Sequence, residues 1–218
     1  MTTDPKKTKI IIADDHAVVR EGLLQIISQE TDMTVVEQAD DGMKLLDKIR
    51  TLDPDLDIVL LDLDMPEKNG WDVMRQLKVE FPNLRIIILS ASAEEDYAKL
   101  CFKEGASGYL DKVSSLELVV KAIRKVAKGE KFISTELAET IAINEIVCDG
   151  KQPHETLSPR EFQVFCLIAS GKSVNEIAGE LSLSAATIST YRARILEKMD
   201  LKSNAELIRY AFQHGILK

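Results

Sequence analysis

Four short apolar runs in this 218-residue chain end on, or just before, a polar side chain that could take part in chemistry. The residues at these ends are Asp14 with Asp15, Asp62, Ser90 and Lys112. Carboxylates that meet within a few ångströms repel one another unless a cation neutralises them. Oxygen ligands with room for water suit Mg²⁺, which also bridges phosphate oxygens. These residue types therefore predict a magnesium site that could hold a phosphoryl group.

Asp62 is the residue of this set that could react. With Mg²⁺ bound it would be ionised, and a carboxylate can attack a phosphoryl group as a nucleophile. Lys112 could pair with the phosphoryl oxygens and the Ser90 hydroxyl could donate to one, since phosphoryl transfer needs mainly positioning and charge neutralisation. Simpler interpretations stay open, because Asp14 could cap the helix that follows it and Ser90 could be an ordinary turn residue.

The elements that must position these residues alternate along the first 130 residues. Strands are predicted at 9–13, 34–39, 57–62, 85–90 and 107–112, and the helix after each strand ends near residue 30, 52, 80, 104 or 128. Five strand–helix units predict a doubly wound, flavodoxin-like α/β domain, with a five-stranded parallel sheet covered by helices on both faces. The carboxyl ends of parallel strands open into one crevice, so the polar residues should converge there.

The end of the chain has a different pattern, with four short blocks of helical periodicity at 158–170, 173–181, 185–199 and 204–214. The first begins with Ser158-Pro159 and has Glu161 at the capping-box position. The second and third blocks are joined by a tight turn and the third is longer and basic, which describes a helix-turn-helix. We therefore predict one domain at 1–130, a linker at 131–156 and an all-α four-helix domain at 157–218.

Two features are expected within the linker. Helical spacing predicts a helix at 135–147, preceded by Ser134 as its cap. The segment 149–155 is polar and rich in turn formers, so it should be the flexible joint, with a solvated His154.

The third helical block has two faces. Ile188, Tyr191, Ile195, Leu196 and Met199 should pack inward, and Ser189, Thr190, Ala193, Arg194 and Glu197 should point outward, with Arg192 and Lys198 at the boundary. A small, hydroxyl-rich outer face with arginine suits the major groove of DNA. Phosphate contacts are expected near helix starts, from Lys172, Ser173, Ser184 and Thr187.

Composition limits the function classes. Residues 1–125 hold 17 basic and 24 acidic residues and residues 157–218 hold 8 and 6, which suggests that only the end of the chain meets nucleic acid. No apolar stretch reaches the roughly 18 residues of a membrane span, so a cytoplasmic protein without membrane contact is expected. The widely spaced Cys101, Cys148 and Cys166 should be reduced structural thiols, and the three histidines are not clustered, so no transition-metal site is expected.

The first domain resembles the receiver domain of two-component response regulators. The resemblance is carried by Asp14-Asp15, by LLDLDMPEKNG around Asp62, by ILSAS around Ser90 and by GASGYLDK, which ends at Lys112. It implies that Asp62 accepts a phosphoryl group from a histidine kinase.

The same resemblance implies further roles. Asp15, Asp62 and the backbone carbonyl of Asp64 would hold Mg²⁺, with Asp14 acting through water. Ser90 and Tyr109 would form a switch pair, in which the tyrosine ring moves inward after the serine moves to the phosphoryl group. The chain departs from many relatives in having Val113 after Lys112 where they have proline, and in the additional carboxylate of Asp64.

The second domain resembles the LuxR-type DNA-binding domain over LSPREFQVFCLIASGKSVNEIAGELSLSAATISTYRARILEKM. Together the two domains resemble the NarL/FixJ class of response regulators, and the STYRAR segment is similar to the GacA/UvrY branch. The resemblance implies a homodimer on phosphorylation, formed through the last helix (205–212), on double-stranded promoter DNA. Ser189 stands where most relatives have lysine and Tyr191 where many have histidine, so the bases that are read stay open.

Three alternatives remain at this stage. The helical domain could be a protein-interaction module, because its net charge is small. The Asp62-x-Asp64 pair resembles that of haloacid-dehalogenase phosphatases, although it follows the third strand rather than the first. The receiver could also act without phosphorylation, against which the intact Asp15, Asp62 and Lys112 set counts.

Overall fold

The structure is a computed structural model that describes residues 7–52, 56–65, 68–90, 95–112, 114, 116–139, 141 and 152–216. These residues form two compact units, divided after residue 140. Within the described part of the chain, no helix is long and apolar enough to cross a membrane.

The first unit is the predicted α/β domain. Its elements are β1 (Thr8–Ala13), α1 (Ala17–Ser28), β2 (Met33–Ala39), α2 (Gly42–Leu52), β3 (Ile58–Asp62), α3 (Gly70–Glu80), β4 (Arg85–Ser90), α4 (Glu95–Lys103), β5 (Gly108–Asp111) and α5 (Leu116–Ala127). The five strands are parallel and lie in the order β2-β1-β3-β4-β5. The predicted fold class is confirmed, and the element ends differ from the prediction by only one or two residues.

The centre of the sheet consists of branched aliphatic residues because helices cover both of its faces. All five residues of β3 are buried, as are the last five residues of β4. The carboxyl end of β3 therefore lies on a rigid element that the surrounding core holds in place.

The start of α3 is packed closely against the end of β3. Asn69 is the N-cap of α3, and its side chain accepts a hydrogen bond from the Asp72 N–H. The next residue, Gly70, donates its N–H to the Leu63 carbonyl oxygen over 3.0 Å. A β-carbon on Gly70 would lie 2.2 Å from the Asp62 carbonyl oxygen, so this close approach of two backbones requires glycine.

Phe132 extends the sheet by one residue beyond β5. It forms a parallel bridge with Gly108, accepts a hydrogen bond from the Tyr109 N–H and donates one to the Ser107 carbonyl, each over 3.0 Å. Its side chain is 3% exposed and belongs to the core cluster of this unit. The start of the predicted linker is therefore attached to the sheet. The linker helix predicted at 135–147 is present at 135–139 and at 141, and the rest of that range lies outside the described residues.

The second unit is the predicted bundle of four helices. They are α6 (Pro159–Ala169), α7 (Val174–Glu180), α8 (Ala185–Lys198) and α9 (Asn204–Gln213). The capping box between Ser158 and Glu161 is confirmed, and Ser173 forms a second one with Glu176. Cys101 in the first unit and Cys166 in this one are buried and are not in a disulfide, and Cys148 lies outside the described residues.

The prediction of a solvated His154 is wrong. Residues Pro153–Thr156 form a 3-10 turn, and His154 within it is 5% exposed. Its Nδ1 lies 2.8 Å from the Tyr210 hydroxyl, and its ring centroid lies 6.2 Å from that of His214, which stacks on Tyr210. The turn is therefore packed on α9, through a contact between residues 56 positions apart that local sequence does not indicate.

Candidate functional site: an acidic crevice and an exposed helix

The carboxyl edge of the sheet brings three of the predicted residues into direct contact. Asp14 follows β1, Asp62 ends β3 and Lys112 follows β5. Both carboxylates are fully buried, and the Lys112 ammonium lies 2.8 Å from Asp14 Oδ2 and 2.7 Å from Asp62 Oδ2. The ammonium offsets part of the repulsion between the two buried carboxylates.

The nearby donors and the Lys112 ammonium only partly offset the cost of burying the ionised Asp62 carboxylate. Burial raises the pKa of this carboxyl to about 6, although the Lys112 ammonium and the Asp64 backbone N–H act in the opposite direction. That N–H donates to Asp62 Oδ1 over 3.1 Å. Burial by itself would lower the pKa of Lys112, but its contacts with the two carboxylates outweigh burial and the pKa is raised. Lys112 therefore stays positively charged. A second cation beside Asp62 would further stabilise the ionised form of that carboxyl.

The loop after β1 is held by short contacts. The His16 N–H donates to Asp14 Oδ1 over 2.8 Å, and Arg20 Nη1 donates to the Asp14 carbonyl oxygen over 2.6 Å. The His16 ring touches both acidic residues, with Nδ1 2.6 Å from Asp15 Oδ1 and 3.2 Å from Asp14 Oδ1. His16 is therefore part of the acidic crevice.

The donor set of this crevice fits a hard divalent cation. Among the described residues, Asp14, Asp15, His16 and Asp62 can each offer one ligand atom, and these four atoms lie within 4.8 Å of one another. Asp14 Oδ2 and Asp62 Oδ2 are buried and accept no well-formed hydrogen bond from the described residues, although both have the Lys112 ammonium as an ion-pair neighbour. Carboxylate oxygens of this kind are the ligands that Mg²⁺ favours. The cluster is consistent with the predicted Mg²⁺ site.

The remaining predicted residues of the first unit lie around the crevice. Asp64 is exposed, and its carboxylate is not one of the four clustered groups. Ser90 ends β4 and is buried, and its carbonyl oxygen accepts a 2.7 Å hydrogen bond from the Lys112 N–H. Tyr109 is 1% exposed and pairs with Ile88, two residues before Ser90 on the neighbouring strand. Side chains two residues apart share a face, so Ser90 and Tyr109 lie on the same face of the sheet.

The two faces of α8 are as predicted. Ile188, Ile195 and Met199 are buried, and Tyr191 and Leu196 are half-buried. Ser189, Thr190, Ala193, Arg194 and Glu197 are all exposed. The outer face of this helix is therefore small, hydroxyl-bearing and available to a partner.

Other polar residues predicted to touch DNA make contacts within the second unit. Arg192 Nε donates to Asn204 Oδ1, and Lys198 Nζ donates to the buried Glu161 Oε2, each over 2.5 Å. Lys172, which precedes α7, pairs with Glu180, the last residue of that helix. The cap residues Ser173 and Ser184 accept hydrogen bonds from backbone N–H groups, and Thr187 provides the N–H that bonds Ser184.

Several residues of the crevice were not predicted from the sequence. His16 and Gly70 are the clearest, and each is adjacent to a residue that was predicted or packs against one. The signal for His16 was its position directly after the acidic pair at the end of a strand. Arg20 gave no such signal, because its contact is with the backbone of Asp14 rather than with a side chain.

Comparison with known protein families identifies both units. Residues 10–124 match the model for the response regulator receiver domain, and residues 155–211 match the model for bacterial regulatory proteins of the luxR family. The chain belongs to the response regulators that join a receiver domain to a LuxR-type DNA-binding domain, the NarL/FixJ class. This family consists of DNA-binding transcription regulators, so the phosphatase alternative is wrong and the second unit is not merely an interaction module.

Individual relatives are similar to this protein over nearly its whole length. Response regulator GacA from Pseudomonas aeruginosa is 34% identical over 210 residues, which cover 96% of this chain and 97% of that protein. Oxygen regulatory protein NreC from Staphylococcus aureus is 36% identical over 218 residues, with coverage of 96% and 99%. The structure of RcsB from Salmonella enterica serovar Typhimurium, bound to a promoter in the presence of the phosphomimetic BeF3−, is similar with a TM-score of 0.68 and 27% identity, over 94% of this chain and 98% of that chain.

Proposed function

We propose that Asp62 of this response regulator accepts a phosphoryl group from a histidine kinase, and that the modified protein binds promoter DNA as a homodimer. The observation that carries the proposal is the pair of buried carboxylates, Asp14 and Asp62, bridged by the Lys112 ammonium. Stability alone does not explain a buried charge cluster, because proteins in which apolar residues of similar volume replace such a cluster are often as stable or more stable. A buried charge cluster at the carboxyl edge of a parallel sheet supports a chemical role instead.

The transfer step is a displacement at phosphorus. An Asp62 carboxylate oxygen forms a bond to phosphorus while the bond between phosphorus and the kinase histidine nitrogen breaks, and the imidazole leaves. The Lys112 ammonium, which lies 2.7 Å from Asp62 Oδ2, would pair with the phosphoryl oxygens. The Ser90 hydroxyl would donate a hydrogen bond to one of them.

A bound Mg²⁺ would add charge neutralisation at this position. Asp15, Asp62 and the Asp64 backbone carbonyl would hold the ion, with Asp14 acting through water. Because Asp62 is buried and its pKa is raised to about 6, an added cation also favours the ionised form that reacts.

Phosphorylation would shift an equilibrium between two receiver conformations. Ser90 and Tyr109 lie on the same face of neighbouring strands, which supports their role as the switch pair of this domain. A receiver that works without phosphorylation remains the competing hypothesis, and the experiment below separates the two.

The second domain would place α8 in the major groove. Arg194 is the exposed basic residue on its outer face and would read guanine, and Ser189 and Thr190 would make adaptable contacts. Arg192 and Lys198 are engaged inside the domain, so we assign them to orienting α8 and to phosphate contacts at its edge. Lys172, Ser173, Ser184 and Thr187 lie at the starts of α7 and α8, where free N–H groups favour phosphates.

Dimerisation through α9 is supported by its exposed apolar residues. Ile208 is 41% exposed and Phe212 is 79% exposed, four positions apart on one face of the helix. Two copies joined there would present two α8 helices to half-sites about one turn of DNA apart. The proposed domain limits are 1–130 and 157–218 with a linker at 131–156, in a cytoplasmic protein.

Intact mass after incubation with acetyl phosphate and Mg²⁺ tests the central step. Wild type should gain one phosphoryl group, about 80 Da, and Asp62→Asn should gain none. Omission of Mg²⁺ in the presence of EDTA should suppress the adduct. Replacement of the exposed Asp72, Asp72→Asn, removes a carboxylate from α3 outside the crevice and should leave the adduct intact.

An adduct that survives Asp62→Asn would place the acceptor elsewhere. If wild type gains no mass from acetyl phosphate or from a phosphorylated histidine kinase, the phosphorylation-independent receiver is favoured. In that case Asp62→Ala should keep full activity in a reporter strain.

A further inference from the structure

His16 occupies a position in the acidic crevice that the proposed chemistry does not use. Its ring Nδ1 lies 2.6 Å from Asp15 Oδ1, and its side chain is 64% exposed. A nitrogen and a carboxylate oxygen at this distance must share a hydrogen, so Nδ1 carries the proton and donates it to Asp15. With Nδ1 acting as a donor, the carboxylates of the cluster, and not this nitrogen, would be the metal ligands.

Asp15 depends on this contact more than its neighbour Asp14 does. Asp14 is fully buried, accepts the His16 backbone N–H and has the Lys112 ammonium 2.8 Å from Oδ2. The Asp15 side chain is 31% exposed, and within the described part of the chain its one side-chain contact is with the His16 ring. Without the ring, the Asp15 carboxylate would be free to rotate into solvent.

We propose that His16 is a positioning residue, which holds the Asp15 carboxylate in the orientation that binds the divalent cation of the phosphorylation site. The inference deepens the proposed function and rests on it, since it assumes that the crevice takes Mg²⁺. The ring donates to one Asp15 oxygen and leaves the other for the ion. Hydrogen bonds to ligating carboxylates set ligand orientation, and their loss typically weakens metal binding by about 10- to 100-fold.

The chain allows a matched set of variants. His16→Ala removes the ring but keeps the backbone N–H that bonds Asp14. His16→Asn places an amide N–H at the same number of bonds from the backbone as Nδ1, so it can restore the donor to Asp15. His16→Gln places the amide one bond further out and should not restore it. His214→Ala serves as a control for the loss of a histidine ring in the second unit, which does not contain Trp71.

Isothermal titration calorimetry with MgCl₂ on the full chain provides the readout. The Mg²⁺ dissociation constant should rise about 10-fold in His16→Ala and His16→Gln, and should stay within about 3-fold of wild type in His16→Asn and His214→Ala. The urea midpoint in EDTA, followed by the fluorescence of the single tryptophan, Trp71 in α3, should be the same in wild type, His16→Ala, His16→Gln and His214→Ala. It should be higher in His16→Asn, because residue 16 is the N-cap of α1 and asparagine is a favoured cap. A merely structural role of His16 would lower that midpoint in His16→Ala, and the Mg²⁺ dissociation constant would then not distinguish His16→Asn from His16→Gln.

The outcomes separate the two proposals. Equal Mg²⁺ affinity in wild type and His16→Ala would overturn the role of His16 and leave the phosphorylation site intact. Equal weakening in all three His16 variants would also overturn it, because it would mean that the imidazole itself and not its donor is needed. A wild type that takes up no Mg²⁺ would overturn the proposed function together with this inference.

Discussion

The backbone of Gly70 lies against the carbonyl oxygen of Asp62, so close that a β-carbon on Gly70 would be 2.2 Å from that oxygen and 2.6 Å from Leu63 Cα. The first residue of α3 therefore sets the position of the last residue of β3. Neither backbone can move easily, because β3 is buried along its whole length. The Asp62 carboxylate is thus held by a helix start as well as by its own strand.

Gly70→Ala should disturb both stability and phosphorylation. Relief of the overlap requires α3 or the end of β3 to shift, which should lower the free energy of unfolding by about 1–3 kcal/mol and slow the acetyl phosphate reaction. Stability is measured by urea unfolding through Trp71 fluorescence, which reports on this domain. Gly22→Ala in α1 is the matched control, because nothing lies within 4 Å of its β-carbon and it should stabilise the helix by about 0.5–1 kcal/mol. Equal effects of the two substitutions would contradict the importance of this contact.

Asp62→Asn should stabilise the metal-free protein above pH 6. The pKa of Asp62 in the folded protein is about 6, compared with the ordinary value of 3.8, so the folded state binds this proton more tightly than the unfolded state does. The free energy of unfolding of wild type therefore falls as the pH rises between these two values. The Asp62→Asn variant has no ionisable group at this position, so its stability does not fall in this way. Its free energy of unfolding should be higher than that of wild type by about 1–3 kcal/mol near pH 7.

The pH dependence provides the check on that interpretation. Urea unfolding in EDTA at several pH values should show the advantage of Asp62→Asn appearing between about pH 4 and pH 6. Addition of Mg²⁺ should reduce the advantage, because the cation stabilises the ionised wild type. An advantage that does not change with pH would mean that it does not come from the ionisation of Asp62.

Arg194→Ala should weaken specific DNA binding and leave phosphorylation unchanged. Loss of one bidentate contact to guanine corresponds to about 1–3 kcal/mol, or roughly 5- to 150-fold in affinity. The measurement is a gel-shift titration at fixed salt, on a fragment selected from random-sequence DNA with the phosphorylated wild type. Lys202→Ala removes an equal charge from an exposed position outside α8 and α9 and should weaken binding less, and to the same extent on all sequences. Unchanged operator affinity in Arg194→Ala would refute the assignment.

Lys198→Ala should affect stability more than DNA binding. Lys198 Nζ lies 2.5 Å from Oε2 of Glu161, which is 3% exposed, so its loss leaves a buried carboxylate short of a partner and should cost about 1–3 kcal/mol. Burial alone would raise the pKa of Glu161, but the Lys198 and Ser158 contacts outweigh it and the pKa is lowered. The stabilisation is therefore present above the ordinary glutamate pKa and is lost as the pH falls below it.

Thermal unfolding followed by circular dichroism at neutral and acidic pH tests this account of Lys198. Lys202→Ala removes the same charge from an exposed position and should leave the melting temperature unchanged. The difference between the two variants should shrink toward about pH 4, where Glu161 becomes protonated in the variant. A large loss of DNA affinity with unchanged stability would mean that Lys198 acts mainly through DNA and not through Glu161.

Local sequence patterns predicted most of the helices and strands, because the start, end and buried face of such an element depend on residues close together in the chain. The apolar run before Asp62 and the cap at Ser158 both have local physical causes, and both elements lie where they were predicted. The convergence of Asp14, Asp62 and Lys112 also followed from the sequence, since parallel strands place their carboxyl ends along one edge.

Contacts that depend on side-chain direction or on distant packing were not predicted. His16 follows the acidic pair, but its turn back onto Asp15 depends on the loop conformation, which no periodicity describes. The polar segment around His154 predicts a solvated side chain, yet Tyr210 of α9 and His214, which follows α9, cover it. Arg192 and Lys198 have suitable charges for DNA, and only the tertiary structure reveals that each has a partner inside the domain.

The pairing of Phe132 with β5 also bears on the solubility of the receiver. β5 is an outer strand of the sheet, and the unsatisfied N–H and C=O groups of an outer strand can pair with the same strand of another molecule. The backbone of Phe132 occupies the Ser107 carbonyl and the Tyr109 N–H on that edge. A receiver fragment that ends before Phe132 would uncover these groups together with an apolar patch of its core, and would tend to self-associate edge to edge. Phe132, near the start of the predicted linker, thus covers part of an edge of the receiver sheet that would otherwise be open to pairing.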